Sequence, residues 1–235
     1  YTPFLSGTQK HGLTGCTNTA AGQIIYYFIE KGVLDLQLTL NADDAYTDSY
    51  GLQIKADGST PGTISFAAIN SKLAQYDLNS ADDAAALVYA CAVIQEASYK
   101  DGATSTAWRP ELFYRAGFEC VTVTRLYWNT KPYWGVEGNI SDAGFEVLIE
   151  NLTAGRVVGT SYPGHALVID GYDAATDKFH MVCCLAEGEV GGFMLHEVCP
   201  EALFLRGYPG QRQADRQHHT GGGQGTDVQL AGDCC

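Results

Sequence analysis

Between positions 16 and 31 apolar residues recur at Ala20, Ile24, Tyr27 and Phe28, the three-and-four spacing of a helix with one buried face. Thr14 or Gly15 stands just before this helix and Gly32 stops it. A second helix is expected over 81–97, where Asp82 and Asp83 suit the positive N-terminal end and Leu87, Ala90, Val93 and Ile94 share one side. Shorter helices are expected over 110–116, with Gly117 as stop, and over 142–152, ended by Ala154-Gly155. The period then changes. Residues 157–160, 166–170 and 178–182 are short β-rich runs separated by turns at Tyr162-Pro-Gly and Asp173-Ala-Ala-Thr-Asp.

Helices first and an antiparallel sheet afterwards make an α+β chain. Its organisation reads as one domain over 1–205, with a helical half over about 1–150 and a β half over about 151–205. The stretch 38–62, polar and rich in Asp, Thr and Gly, is expected to be an exposed excursion. Residues 206–235 are rich in glycine and poor in apolar side chains, which predicts a mobile, dispensable tail.

Composition narrows the class. At 235 residues and 46% hydrophobic content the chain is long enough for a sizeable core. Asp and Glu outnumber Lys and Arg by 27 to 14, a formal charge of −13, and such a surface repels phosphate backbones, so nucleic acid is not an expected partner. No apolar run approaches the roughly 20 residues a membrane helix needs, so no membrane association is expected. The chain opens at Tyr1-Thr-Pro-Phe with no initiator Met, basic leader or apolar signal segment, the pattern of a mature or trimmed chain.

The eight cysteines are too unevenly placed for a disulfide framework. His180, Cys183, Cys184 and Cys199 are close in sequence, but adjacent cysteines lack the ligand spacing of a zinc site, so neither metal nor cofactor is expected. Thiolate is the reactive form of cysteine and is favoured at a helix N-terminus, where unpaired N–H groups point at the sulfur. Cys16 is placed that way, and its own N–H is positioned to donate to an oxyanion. Taken alone it reads more readily as a small buried core residue than as a nucleophile. A nucleophilic cysteine also needs a base from elsewhere in the chain. Among the histidines, His165 follows a glycine and opens the run Ala166-Leu-Val-Ile-Asp at a strand end, a place that suits a catalytic imidazole and an ordinary edge histidine alike.

Longer motifs separate these alternatives. Thr14-Gly-Cys-Thr-Asn-Thr-Ala-Ala-Gly-Gln-Ile-Ile-Tyr-Tyr-Phe resembles the nucleophile helix of streptopain-like cysteine peptidases, and Gly164-His-Ala-Leu-Val-Ile-Asp-Gly-Tyr-Asp resembles their histidine strand. Between them, Ala86-Leu-Val-Tyr-Ala-Cys-Ala-Val and Tyr99-Lys-Asp-Gly-Ala-Thr-Ser-Thr are similar to the family's middle helix and substrate loop. The similarity runs over about residues 3–200 and implies a papain-like fold, with Cys16 on a helical half facing His165 on a β half. It further implies that Gly164, Ala103, Thr104 and Ser105 line a cleft for peptide or protein substrates. A secreted, bacterial, monomeric protein is expected on the same ground.

Two departures from that family stand out. Its Phe-His-x-Asn-Trp motif reads Phe179-His-Met-Val-Cys here, so Val182 stands where an imidazole-orienting Asn is expected and Cys183 where a Trp is. The family's oxyanion Gln would fall before Tyr1, and Gln9 is the nearest substitute by position. The leading expectation is therefore an endopeptidase, impaired to some degree. A peptidase-derived peptide-binding module is the alternative, and a cysteine-dependent acyltransferase shares the same Cys and His logic but fits the motifs less well.

Overall fold

In a computed structural model, the structure describes residues 1–119, 121–127, 142–162, 165–175, 178–182 and 225–231. Among these, residues up to 119 form one compact unit and the later ones a second. The division falls earlier than the expected boundary near 150, because the helix over 142–153 packs on the sheet.

The first unit is built on four helices, α1 (Cys16–Glu30), α2 (Phe66–Leu73), α3 (Ala81–Ile94) and α4 (Pro110–Ala116), with two small hairpins, β1 (Tyr46–Thr47) with β2 (Gln53–Ile54) and β3 (Ser98–Lys100) with β4 (Ala103–Ser105). Ser80 caps α3 by accepting the Asp83 N–H at 3.1 Å. From Ala86 to Ile94 every residue of that helix is buried, not one side of it, as befits a helix apolar all round. It ends at Ile94, short of the expected 97, with Gln95 at its C-cap. α1 lies against α3 at Gly22, where a Cβ would come within 2.7 Å of Val88 Cγ2. The expected stop of α1 is observed: Gly32 adopts φ 68°, which leaves the carbonyls of the last turn satisfied by Lys31, Gly32 and Val33.

α2 was not anticipated, although Ser65 caps it and Phe66, Ile69 and Leu73 make its buried stripe. The stretch 38–62 also differs from an exposed excursion: Leu38, Leu40 and Ile54 are buried, and the Asp48 carboxylate, itself buried, accepts the backbone N–H groups of Tyr50, Leu52 and Tyr99. Side-chain to backbone bonds, not periodicity, order this segment.

The second unit is a five-stranded antiparallel sheet with one helix. β5 (Val121–Tyr127), α5 (Asp142–Thr153), β6 (Val158–Tyr162), β7 (His165–Asp173), β8 (Lys178–Val182) and β9 (Gly225–Ala231) follow in the chain, and the strand order is β5-β9-β6-β7-β8. Leu148 of α5 packs into a core with Val158, Leu167, Ile169, Phe179 and Met181, rimmed by Phe145 and Tyr172. Register slips between Ile169 and Gly171, leaving Asp170 as an extra residue in β7 whose carboxylate meets His180 Nδ1 of β8.

The predicted tail contains β9, which pairs with β5 along seven residues and with β6 through Leu230, Gln229 and Val228. Thr226, Val228 and Leu230 alternate with Asp227 and Gln229, the period of a strand, inside a composition that argued for none. The other residues of 206–235 lie outside the described residues. No helix among the described residues is long and apolar enough to cross a membrane.

Candidate active site

Cys16 is the first residue of α1, half-buried, on a turn that only glycine makes easily. Gly15 at the N-cap has φ 89° and ψ 132°, and a Cβ there would lie 2.9 Å from Thr104 Cγ2 and 3.1 Å from Asn18 Nδ2. The N-cap is a glycine and supplies no side-chain cap, so the thiol sits at the N-terminal end of α1, where backbone N–H groups point outward.

The strand containing Ala103, Thr104 and Ser105 is β4, and it abuts this turn. Thr104 Oγ1 donates to the carbonyl of Leu13 at 2.6 Å, so that Thr104 and the approach to Cys16 are joined directly. Thr17 Oγ1 adds a long bond, 3.4 Å, to the carbonyl of Thr106. Cys91, the other cysteine among the described residues, is fully buried in α3, and burial pushes its thiol pKa well up, which holds it in the protonated, unreactive form.

His165 opens β7, opposite Tyr162 of β6, and is half-buried. It belongs to the second unit and Cys16 to the first. Gly164, expected beside it, lies outside the described residues, as do Cys183, Cys184 and Cys199. Val182 is opposite Val168 in the β7–β8 ladder, three residues along from His165. Gln9 is exposed in the turn between Phe4 and His11, and His11 is occupied by the carbonyl of Thr2 and the ring of Phe4. Among the described residues no group of three or more His, Cys, Asp or Glu is disposed to hold a metal ion.

The family model of the Peptidase C10 family matches residues 1–184, from the first residue through β8. The chain belongs to the Peptidase C10 family. This is the streptopain family of cysteine peptidases, whose members act on peptide bonds of proteins and peptides. The α+β architecture agrees with membership. A comparison with curated proteins finds no match. The match to the Peptidase C10 model ends two residues after Val182, where the sequence also leaves the Phe-His-x-Asn-Trp pattern.

Two buried polar residues joined to each other, Asn18 in the first turn of α1 and Gln95, carry no mark in the sequence. Asn18 is fully buried in α1 and Gln95 almost fully at the end of α3, where helical periodicity marks a position as interior without saying what a polar group there would meet. Gln95 only ends an apolar run, and Asn18 stands between two threonines.

Proposed function

We propose that the chain hydrolyses peptide bonds as a cysteine endopeptidase, with Cys16 as nucleophile and His165 as general base and acid. The observation that carries this reading is the Cys16 turn: a thiol at a helix N-terminus, set on a glycine with φ 89° and braced by Thr104 of the expected substrate strand. Membership of a cysteine peptidase family supplies the reaction class.

In this reading the unit carrying α1 faces the sheet carrying β7 across a cleft, as in papain-like enzymes, and a peptide lies along it beside 103–105 and Gly164. The Cys16 thiolate attacks the scissile carbonyl carbon, forming a C–S bond, and its negative charge passes to the carbonyl oxygen, where N–H groups at the start of α1 stabilise it. The protonated imidazole of His165 gives its proton to the departing amine as the C–N bond breaks. Neutral His165 then takes a proton from water, which attacks the thioester and releases the acid and the thiolate. The chemistry calls for neither metal nor cofactor. A monomer acting outside the cell completes the proposal.

Val182 bears on rate. Valine accepts no hydrogen bond from a ring N–H, so whatever fixes the His165 tautomer is not the amide that the family uses, and turnover is expected to be slow. The competing reading, a module that keeps the peptide site and has lost turnover, rests on the same residue.

Treatment with a thiol-directed peptidyl inactivator, followed by mapping of the adduct and assay of an unstructured protein substrate, separates the readings. An adduct confined to Cys16, with hydrolysis abolished in Cys16→Ala, is the expected result. A Cys16 adduct without turnover would favour the binding module, and labelling spread over the other cysteines would overturn the assignment of the nucleophile.

A further inference from the structure

Around the first turn of α1 runs a chain of buried amide and hydroxyl groups that the proposed chemistry does not itself employ. Asn18 Nδ2 donates to the carbonyl of Thr14 at 2.8 Å and to Thr106 Oγ1 at 3.2 Å, so both of its hydrogens are engaged. Its Oδ1 accepts from Gln95 Nε2 at 3.0 Å, and Gln95 Oε1 accepts the backbone N–H of Arg109 at 3.3 Å. Asn18 is 0% and Gln95 2% exposed, in an interior made mostly of Ala, Ile, Leu and Val. Polar groups placed there are costly unless bonded, and once bonded they allow few alternative arrangements.

What the chain joins is informative. Thr14 lies two residues before Cys16, Thr106 follows β4, Gln95 caps α3 and Arg109 precedes α4. A trans peptide is planar, with its C=O and N–H on opposite sides, so drawing the Thr14 carbonyl toward Asn18 turns the Gly15 N–H the other way. Thr104 does the same for the Leu13 carbonyl and the Thr14 N–H. Two consecutive peptide planes leading into Cys16 are thereby set by side chains, on a glycine whose conformation most residues avoid.

A second feature lies at the far end of the chain. Glu96, directly after Gln95, is the one non-glycine residue with positive φ, at 51°, among the described residues. Backbone of this kind persists where its surroundings over-determine it, and it gathers near functional sites. Here the Glu96 carboxylate holds Arg109 Nη2 at 2.6 Å, so one residue, Arg109, is gripped through both its backbone and its side chain.

We propose that Asn18 and Gln95 are positioning residues for Cys16, a buried amide pair that fixes the peptide planes entering α1 and so aims the thiol and its neighbouring N–H groups relative to β4 and Thr106. The proposal rests on Cys16 being the nucleophile. It adds two residues whose effect passes through the turn at Gly15.

The test replaces both amides at once, Asn18→Ala with Gln95→Leu, so that neither is left with an unsatisfied partner amide. Wild type and variant are treated with a peptidyl halomethyl ketone, adducts are mapped by mass spectrometry, and saturation kinetics separate the binding constant KI from the rate kinact. The expected result is a Cys16 adduct in both, with KI within about twofold and kinact lower by about 10–100-fold, the penalty typical of a small misplacement of a reacting group. A purely structural role would show as a smaller folded fraction, with the folded molecules reacting at the wild-type kinact, and that outcome overturns the proposal. If the double variant does not fold, Thr106→Val takes its place. It removes one acceptor of Asn18 and is expected to lower kinact by about threefold to tenfold at unchanged KI; an unchanged kinact overturns the proposal. Absence of any Cys16 adduct in the wild type would overturn the nucleophile assignment and the proposal together, so the wild-type arm tells the two failures apart.

Discussion

Gly15 and Gly32 both adopt positive φ at the two ends of α1, yet substitution should affect them differently. At Gly32 a Cβ meets nothing within 4 Å, so Gly32→Ala carries only the backbone penalty, about 1–2 kcal/mol. At Gly15 the same methyl would press on Thr104 Cγ2 and Asn18 Nδ2, and the residue sits where φ is 89°. Gly15→Ala is expected to cost about 1–3 kcal/mol and, in addition, to slow modification of Cys16 by at least about tenfold in the folded protein. Denaturant titration of both variants, paired with the rate of Cys16 labelling, checks this: equal labelling rates in the two would mean that the geometry of the turn does not govern the thiol. The glycine was legible in the sequence as a permissive residue before the cysteine. Its contacts were not, because Thr104 is remote in the chain and reaches the turn only through the β3–β4 hairpin.

Elements differ in how plainly their sequence announces them. α1, α4 and α5 each combine a stripe of apolar residues with a glycine stop, and their observed bounds fall within a residue of those expected. α2 and the segment around Asp44 carry a shorter or no periodic signal, and are fixed by long-range partners: Asn70 exchanges hydrogen bonds with the backbone of Leu40, and Arg115 of α4 grips both oxygens of Asp44 at 2.7 Å while donating to the carbonyl of Thr39. That pair has a pH signature. The Arg115 hydrogen bonds hold the Asp44 carboxyl below its ordinary pKa. A carboxylate depressed in the folded state contributes stability that is complete above the ordinary carboxylate pKa and is lost as pH falls through the lowered folded value. Both side chains are mostly buried, at 15% and 21% exposure, so screening is partial. Asp44→Asn is therefore expected to be less stable than wild type by about 1–3 kcal/mol at neutral pH, with the gap closing below about pH 4. Urea midpoints of the two proteins across that range measure it, and a gap that stays constant into acid would show that the charge of Asp44 is not what Arg115 holds.

For the whole molecule, the sequence placed the helices early and the sheet late and marked Cys16 and His165 on their elements, since strong periodicity and local motifs are properties of neighbouring residues. The sheet's completion is a different kind of fact. β9 comes from beyond residue 184, outside the stretch matched by the family model, and its place between β5 and β6 follows from pairing partners distant in the chain. A glycine-rich composition hid a seven-residue strand because composition averages over a window wider than the strand itself.

The consequence is testable by truncation. If residues 206–235 were a dispensable tail, ending the chain at 205 would leave the melting temperature nearly unchanged. With β9 in place, the same truncation removes the strand that bridges β5 to β6, leaving two unpaired edges and detaching β5 from the rest of the sheet. A domain whose total stability is about 5–15 kcal/mol has little reserve for such a loss, so the expected outcome is a large fall in melting temperature and a tendency to associate through the exposed edges. Hydrogen exchange locates the effect: backbone amides of β5 and β6 should lose protection on truncation, while those of α1 and α3, in the other unit, keep theirs. A narrower variant, Val228→Pro, removes one ladder donor in the middle of β9 without shortening the chain, and it should reproduce the loss of protection in β5 and β6 to a smaller degree. Full protection of β6 in both variants would remove β9 from the sheet and return residues 206–235 to the mobile tail that their composition suggests.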